Sequence, residues 1–163
     1  MTFKVKQISG CRQWRALTQN PVLGNTSATN DDNNKNMASK QIIKPAKSAP
    51  AVGPYNHAVR IGDLLFCAGQ IPLDPATGNL VAGDIKAQTE RVLENVKAIL
   101  DDQKLTFTNV VKSTVFMTNL ADFAGMNEVY AKYFTGEFPA RSTIQVAALP
   151  RAASVEIEVI AHY

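Results

Sequence analysis

Phe138-Pro139-Ala140-Arg141-Ser142-Thr143 opens an apolar run, and a second strand pattern, Val155-Glu156-Ile157-Glu158-Val159, closes the chain behind it. An arginine directly after Pro-Ala, at the mouth of an apolar run, is an unusual place for a charge. So is a glutamate inside an alternating strand. A guanidinium is a planar fork that matches a carboxylate, and a glutamate can hold or move a proton. If these two strands pair, a small molecule carrying a carboxylate can sit between them.

Outward from this region, the rest of the chain reads as strands and two helices. Gln41-Ile42-Ile43 is a short strand candidate. His57–Arg60 and Leu64–Ala68 are two strands joined by the hairpin signal Gly62-Asp63. Asp74-Pro75-Ala76-Thr77-Gly78-Asn79 is rich in turn formers. Asp84 is a good N-cap, and Ile85, Thr89, Val92, Val96, Ile99 and Leu100 recur at helical spacing behind it. Residues 109–117 are rich in β-formers. A second helix begins at Asn119 and Asp122 with the stripe Phe123, Met126, Val129, Tyr130, Tyr133 and Phe134, and Gly136 stops it. Residues 142–149 and 154–162 read as the last two strands.

Two amphipathic helices cover one face of such a sheet. Apolar residues occur on both alternations of the last strands, so the second face calls for a partner. A homo-oligomer is expected on that ground.

Composition narrows the function. The chain has 163 residues, of which 45% are hydrophobic and 19% charged, as in a globular domain with a real core. No window approaches the ~18 apolar residues that a membrane helix needs. Cys11 and Cys67 do not suggest a disulfide framework, and His57 and His162 have no metal-ligand spacing.

The net charge of +3 is carried by residues 1–36; residues 37–163 hold 12 basic and 12 acidic side chains. A neutral domain has no excess charge with which to attract phosphates, which weighs against nucleic acid as its main partner. Residues 1–36 are basic, free of acid up to Asn30 and partly amphipathic, the profile of a mitochondrial transit peptide. A matrix location is therefore expected, with the cytoplasm as the alternative. The polar stretch 25–36 reads as disordered, and Met37 opens the segment that reads as the domain, 37–163.

Taken singly, Arg141 and Glu156 read more readily as solvated surface charges than as working groups. Glu156 points away from the face of Val155 and Ile157, together with Glu158. Tyr55 follows Gly53-Pro54, which stiffens its approach. Gly69 ends an apolar strand, where a glycine lets a ligand approach the backbone or makes a bend. Asn127 lies between Met126 and Val129 and either turns into a pocket or stays in solvent. Cys67 reads as a small buried residue. Ser142 has no evident base.

Together these residues resemble the RidA/YjgF family of small imine deaminases. The matching stretches include Gly53-Pro54-Tyr55, Ala68-Gly69-Gln70-Ile71-Pro72, Asn127-Glu128-Val129-Tyr130, Phe138 to Thr143 and Val155 to Ala161. The resemblance runs over about residues 40–163. It implies an α+β, chorismate-mutase-like fold: a mixed sheet with two helices on one face, assembled as a barrel-like homotrimer with pockets between subunits. It also implies hydrolysis of 2-imino acids such as 2-iminopropanoate and 2-iminobutanoate to 2-oxo acids and ammonia, without a cofactor.

In that reading Arg141, Glu156 and Tyr55 are the catalytic residues. Arg141 clamps the carboxylate, Glu156 handles the water, and Gly69, Asn127 and Thr143 complete the substrate site. Burial would raise the Glu156 pKa and a nearby Arg141 would lower it. Ala68 stands where many members have serine, Thr143 where many have cysteine, and Asn56-His57 where Ser-Gln is more usual. A ribonuclease or translation inhibitor, and a non-catalytic trimeric binding module, are the alternative functions.

Overall fold

The computed structural model describes residues 39–46 and 53–163. The expectations for residues 1–36 lie outside the described residues. The elements run β1 (Gln41–Ile43), β2 (Ala58–Ile61), β3 (Leu64–Gln70), α1 (Ile85–Asp102), β4 (Val110–Met117), α2 (Phe123–Tyr133), β5 (Ala140–Gln145) and β6 (Val155–His162). The strands form a single mixed sheet in the order β1-β2-β3-β6-β4-β5. All pairings are antiparallel except β4 with β5, where α2 provides the crossover.

Local chemistry explains the elements. The Asp84 carboxylate accepts from the Ala87 N–H at 2.9 Å and starts α1. Asn119 does the same for Ala121 at 3.0 Å, opening a single 3₁₀ turn that leads into α2. In the 74–79 turn, Asp74 Oδ1 accepts from the N–H groups of Ala76 and Thr77, each at 2.9 Å. Gly125 lets the helices approach closely: a methyl group built there would stand 2.8 Å from Ile85 Cγ2.

The core lies between the helices and one sheet face. Val92, Leu93, Val96, Ile99 and Leu100 of α1 and Met126, Val129 and Tyr130 of α2 are buried there. They meet Val115 and Met117 of β4 and Val155, Ile157, Val159 and Ala161 of β6. The opposite face is open in the single chain. Phe66 is 41% exposed and Ile144 46%, and Phe116 and Ile160 are half-buried.

Two expectations are corrected. The strand read at 142–149 begins at Ala140 and ends at Gln145. Its only neighbour among the described residues, β4, stops at Met117, and the last ladder bond runs from Val146 N–H to the Met117 carbonyl at 2.9 Å. Beyond it the described residues offer no strand to pair with, and Pro150 has no N–H to donate. The second correction bears on function. β5 and β6, which carry Arg141 and Glu156, do not pair, because β4 lies between them. The parallel crossover through α2 places β5 on the far side of β4.

Candidate active site

Pairing register divides the sequence-predicted residues between the two faces of the sheet. Ser113 of β4 stands opposite Arg141, and Phe116 of β4 stands opposite Glu156. Positions an odd number of residues apart on one strand point to opposite faces. Ser113 is fully buried on the helix side, so Arg141 lies on that side and Glu156 on the open one. Their backbones are two strand spacings apart, about 10 Å, and offset by about 10 Å along the strands. A small ligand cannot touch both side chains of one chain through the sheet.

The first group is built around Arg141. Its Nη2 donates to Asn127 Oδ1 at 2.8 Å. Its Cζ lies 4.5 Å from the centroid of the Tyr130 ring and 5.7 Å from that of Phe123. A cleft of about 420 Å³ opens here, lined by Asn127, Tyr130, Ala131, Phe138, Pro139 and Arg141. Phe138 is 70% exposed, so the mouth is apolar while its floor carries a fixed cation. One of the five guanidinium N–H donors is used by Asn127, which leaves a free edge for a bidentate anion. Thr143, two positions along β5, points to the same face, opposite buried Val115. Asn127 has thus turned toward the pocket.

The second group is built around Glu156. A methyl group placed on Gly69 would overlap its Oε1 and come within 2.8 Å of its carboxyl carbon. The carboxyl therefore rests on the bare backbone of Gly69, at the register shift between Cys67 and Gln70 in the β3–β6 pairing. Burial pushes the Glu156 pKa up from its ordinary 4.5, and the like charge of Glu158 adds to that. Of the two influences the sequence left open, burial prevails within the single chain, because Arg141 of that chain stands on the other face.

Tyr55 is 46% exposed on the loop before β2. Its ring meets His57 edge-on, with centroids 6.1 Å apart. His57 backs onto the same region: its carbonyl accepts from the Ala68 N–H at 2.9 Å. Its Nδ1 is buried without a hydrogen-bond partner among the described residues.

Other candidates are placed plainly. Cys67 is buried, and desolvation raises its thiol pKa to about 12, so it is no nucleophile at neutral pH. The Ser142 hydroxyl accepts from Lys112 Nζ at 2.9 Å, and no histidine or carboxylate hydrogen-bonds to it among the described residues. No group of three or more His, Cys, Asp or Glu with metal-holding geometry occurs among the described residues. No helix among them is long and apolar enough to cross a membrane. A second cleft, of about 440 Å³, runs beside α1 past Arg91, Glu94 and Lys97, away from all predicted site residues.

Sequence reasoning missed Tyr130, Phe123 and Ser113 as partners of Arg141. Tyr130 and Phe123 were read only as a core stripe. The signal that could have found them is their spacing: Phe123, Asn127 and Tyr130 are four and three residues apart and share one helix face.

The family model for Endoribonuclease L-PSP matches residues 46–163. The chain belongs to the RidA/YjgF family. Protein DfrA of Myxococcus xanthus is 52% identical over 124 residues, covering 75% of this chain and 95% of that protein. The 2-iminobutanoate/2-iminopropanoate deaminase of Capra hircus is 44% identical over 122 residues, 75% of this chain and 89% of that protein. The crystal structure of E. coli TdcF with bound serine is 43% identical, with a TM-score of 0.72 over 76% of this chain and 98% of that one. The α+β fold with its mixed sheet and two helices is thus that of the RidA/YjgF proteins. Members carry different functional names, among them endoribonuclease and deaminase.

Proposed function

We propose that this protein hydrolyses 2-imino acids to 2-oxo acids and ammonia, at sites assembled between two copies of the chain in a homotrimer. The observation that carries the reading is the tethered Arg141 at the base of an apolar cleft, with a free guanidinium edge. It suits a small carboxylate with an apolar side chain better than a polyanion. The deaminase name of the goat relative and the serine in the TdcF crystal fit a small amino-acid-like ligand.

The chemistry is a hydrolysis that needs a held water. Arg141 takes the substrate carboxylate bidentately, and Asn127 fixes the orientation of the fork. The imine carbon is already electrophilic. Glu156, brought from a neighbouring copy, accepts a proton as the water oxygen bonds to C2. The C=N π pair becomes an N–H bond, giving a carbinolamine. Both water protons end on nitrogen, partly by way of Glu156. The C–N bond then breaks, the oxygen lone pair forms C=O, and ammonia leaves. Gly69 offers its backbone beside that carboxylate, and Tyr55 and Thr143 line the space. The raised pKa of Glu156 makes it a stronger base than an ordinary carboxylate.

The open sheet face is what a second copy would cover. Phe66 and Ile144 are exposed there on a face that also carries Glu156 and Glu158. An apolar area of this kind on a sheet is characteristic of an interface.

A coupled assay tests the reaction. A threonine dehydratase generates the imine, and trapping by semicarbazide is followed with and without the protein. Wild type should reduce trapping and Arg141→Ala should not; equal trapping in all samples would reject the deaminase reading. Light scattering on the purified protein tests the trimer, and a monomer would reject it.

A further inference from the structure

We infer that Tyr130, tied down by Ser113, is a positioning residue that holds the Arg141 guanidinium for carboxylate recognition. The inference rests on the deaminase reading and names how its carboxylate site is kept in shape.

The geometry forms a closed circuit. Ser113 and Arg141 are direct register partners on β4 and β5. The Ser113 hydroxyl, fully buried, lies 2.7 Å from the Tyr130 hydroxyl. The Tyr130 ring, in turn, lies under the guanidinium at 4.5 Å. The backbone pairing that sets the root of the arginine therefore also sets the anchor of the ring beneath its tip. A strand shift that moved one would move the other.

The ring has no slack of its own. Tyr130 is 4% exposed, and it stacks on Phe134 with centroids 4.1 Å apart and planes 14° from parallel. Phe134 is braced edge-on by Phe107 at 4.8 Å, and Phe107 meets Tyr133 in the same way at 5.4 Å. The Tyr133 hydroxyl donates to Glu94 of α1 at 2.7 Å. Arg141 thus sits at the open end of an aromatic stack whose far end is fastened to the other helix. An arginine on a strand end otherwise has several free side-chain torsions, and ordering it on binding costs affinity. Here that ordering is done in advance, by the Tyr130 ring beneath the guanidinium carbon and by Asn127 on one edge.

The competing account is that Tyr130 is a core residue whose hydroxyl has found a partner. That account predicts lost stability without any change in ligand choice. Positioning of a cation predicts a change in preference for a charged ligand over a neutral one of the same shape.

The probes are 2-oxobutanoate and its neutral amide, 2-oxobutanamide, titrated by calorimetry. Wild type should favour the acid. Tyr130→Leu should bind the acid about tenfold more weakly and the amide unchanged, with KM rising more than kcat falls. Tyr130→Phe keeps the ring but loses the hydroxyl that ties it to Ser113, so acid binding should weaken by about two- to fivefold with the amide unchanged. The double variant Ser113→Ala/Tyr130→Phe leaves no orphaned hydroxyl and so is expected to fold. Its ring is untethered, and acid binding should weaken by about two- to fivefold, again with the amide unaffected. Acid and amide falling together in either variant, or neither changing, overturns the inference. Arg141→Ala separates the two levels. If it too leaves acid binding and deamination intact, the deaminase reading has failed; if it abolishes them while the Tyr130 variants bind normally, only the positioning role has failed.

Discussion

Mixing two inactive variants should restore activity, by an amount that the geometry fixes. Arg141 and Glu156 stand on opposite faces of one sheet, about 10 Å apart across it and about 10 Å along it. A working site that uses both must take them from different copies. Arg141→Ala and Glu156→Ala chains are each expected to be inactive. When they are unfolded and refolded together in equal amounts, a given site finds an intact Arg141 half of the time and an intact Glu156 in the neighbour half of the time. About one quarter of sites are then whole, whatever the size of the ring. Semicarbazide trapping should report about 25% of wild-type activity. A control mixture of Arg141→Ala with Asn127→Ala should stay inactive, since both lesions fall in the same half-site and no site escapes one or the other. A mixed Arg141→Ala and Glu156→Ala sample no more active than its parents would refute the shared site.

Further outcomes are expected. Gly69→Ala should cut kcat/KM by more than about tenfold while changing stability by less than about 1 kcal/mol, because only the mobile end of Glu156 must move; thermal melting read beside the assay checks both halves, and a fully active variant would end the case for the Gly69–Glu156 contact. The acid limb of the kcat profile should lie above 4.5, since Glu156 works ionised and its pKa is raised where the arginine is neutralised by substrate, and Glu158→Gln should move that limb to lower pH by removing a like charge. Residues 1–36 fused to a fluorescent reporter should direct it to mitochondria, and a diffuse cytosolic signal would reject the targeting reading.

The fold was legible wherever periodicity and turn chemistry agreed. The α1 stripe behind Asp84, the Gly62-Asp63 hairpin and the alternation in β6 all lie where their patterns put them. Strand neighbours were not legible, because the residues of β5 and β6 do not say which of them β4 will separate. Arg141 lies over an aromatic ring and Glu156 against the bare backbone of Gly69, and the unusual setting of the two charges was legible. Their shared location was not: a period of two tells which residues of one strand share a face, and nothing about the face used by the next strand. Tyr130 was hidden for a related reason. Its hydrophobic ring fits the core stripe, and its second contact is disclosed by the helix face it shares with Asn127 together with the register of Ser113 with Arg141.

Separation of the two charges also bears on how a base survives beside a cation. Had Arg141 and Glu156 shared a face, the guanidinium would hold the carboxylate well below its ordinary range and make it a poor proton acceptor. In the single chain, burial and Glu158 act on Glu156 without that opposition. In the proposed assembly the arginine approaches from another copy, and the substrate brings its own carboxylate to it. Arginine and substrate carboxylate then form a neutral pair, so the cation's pull on Glu156 is largely cancelled when catalysis begins. An empty site leaves the pull uncancelled. On this argument the base is strongest when the site is loaded, and the pKa seen in kcat should lie above that seen in kcat/KM. Equal values in the two profiles would mean that Arg141 does not approach Glu156 at all.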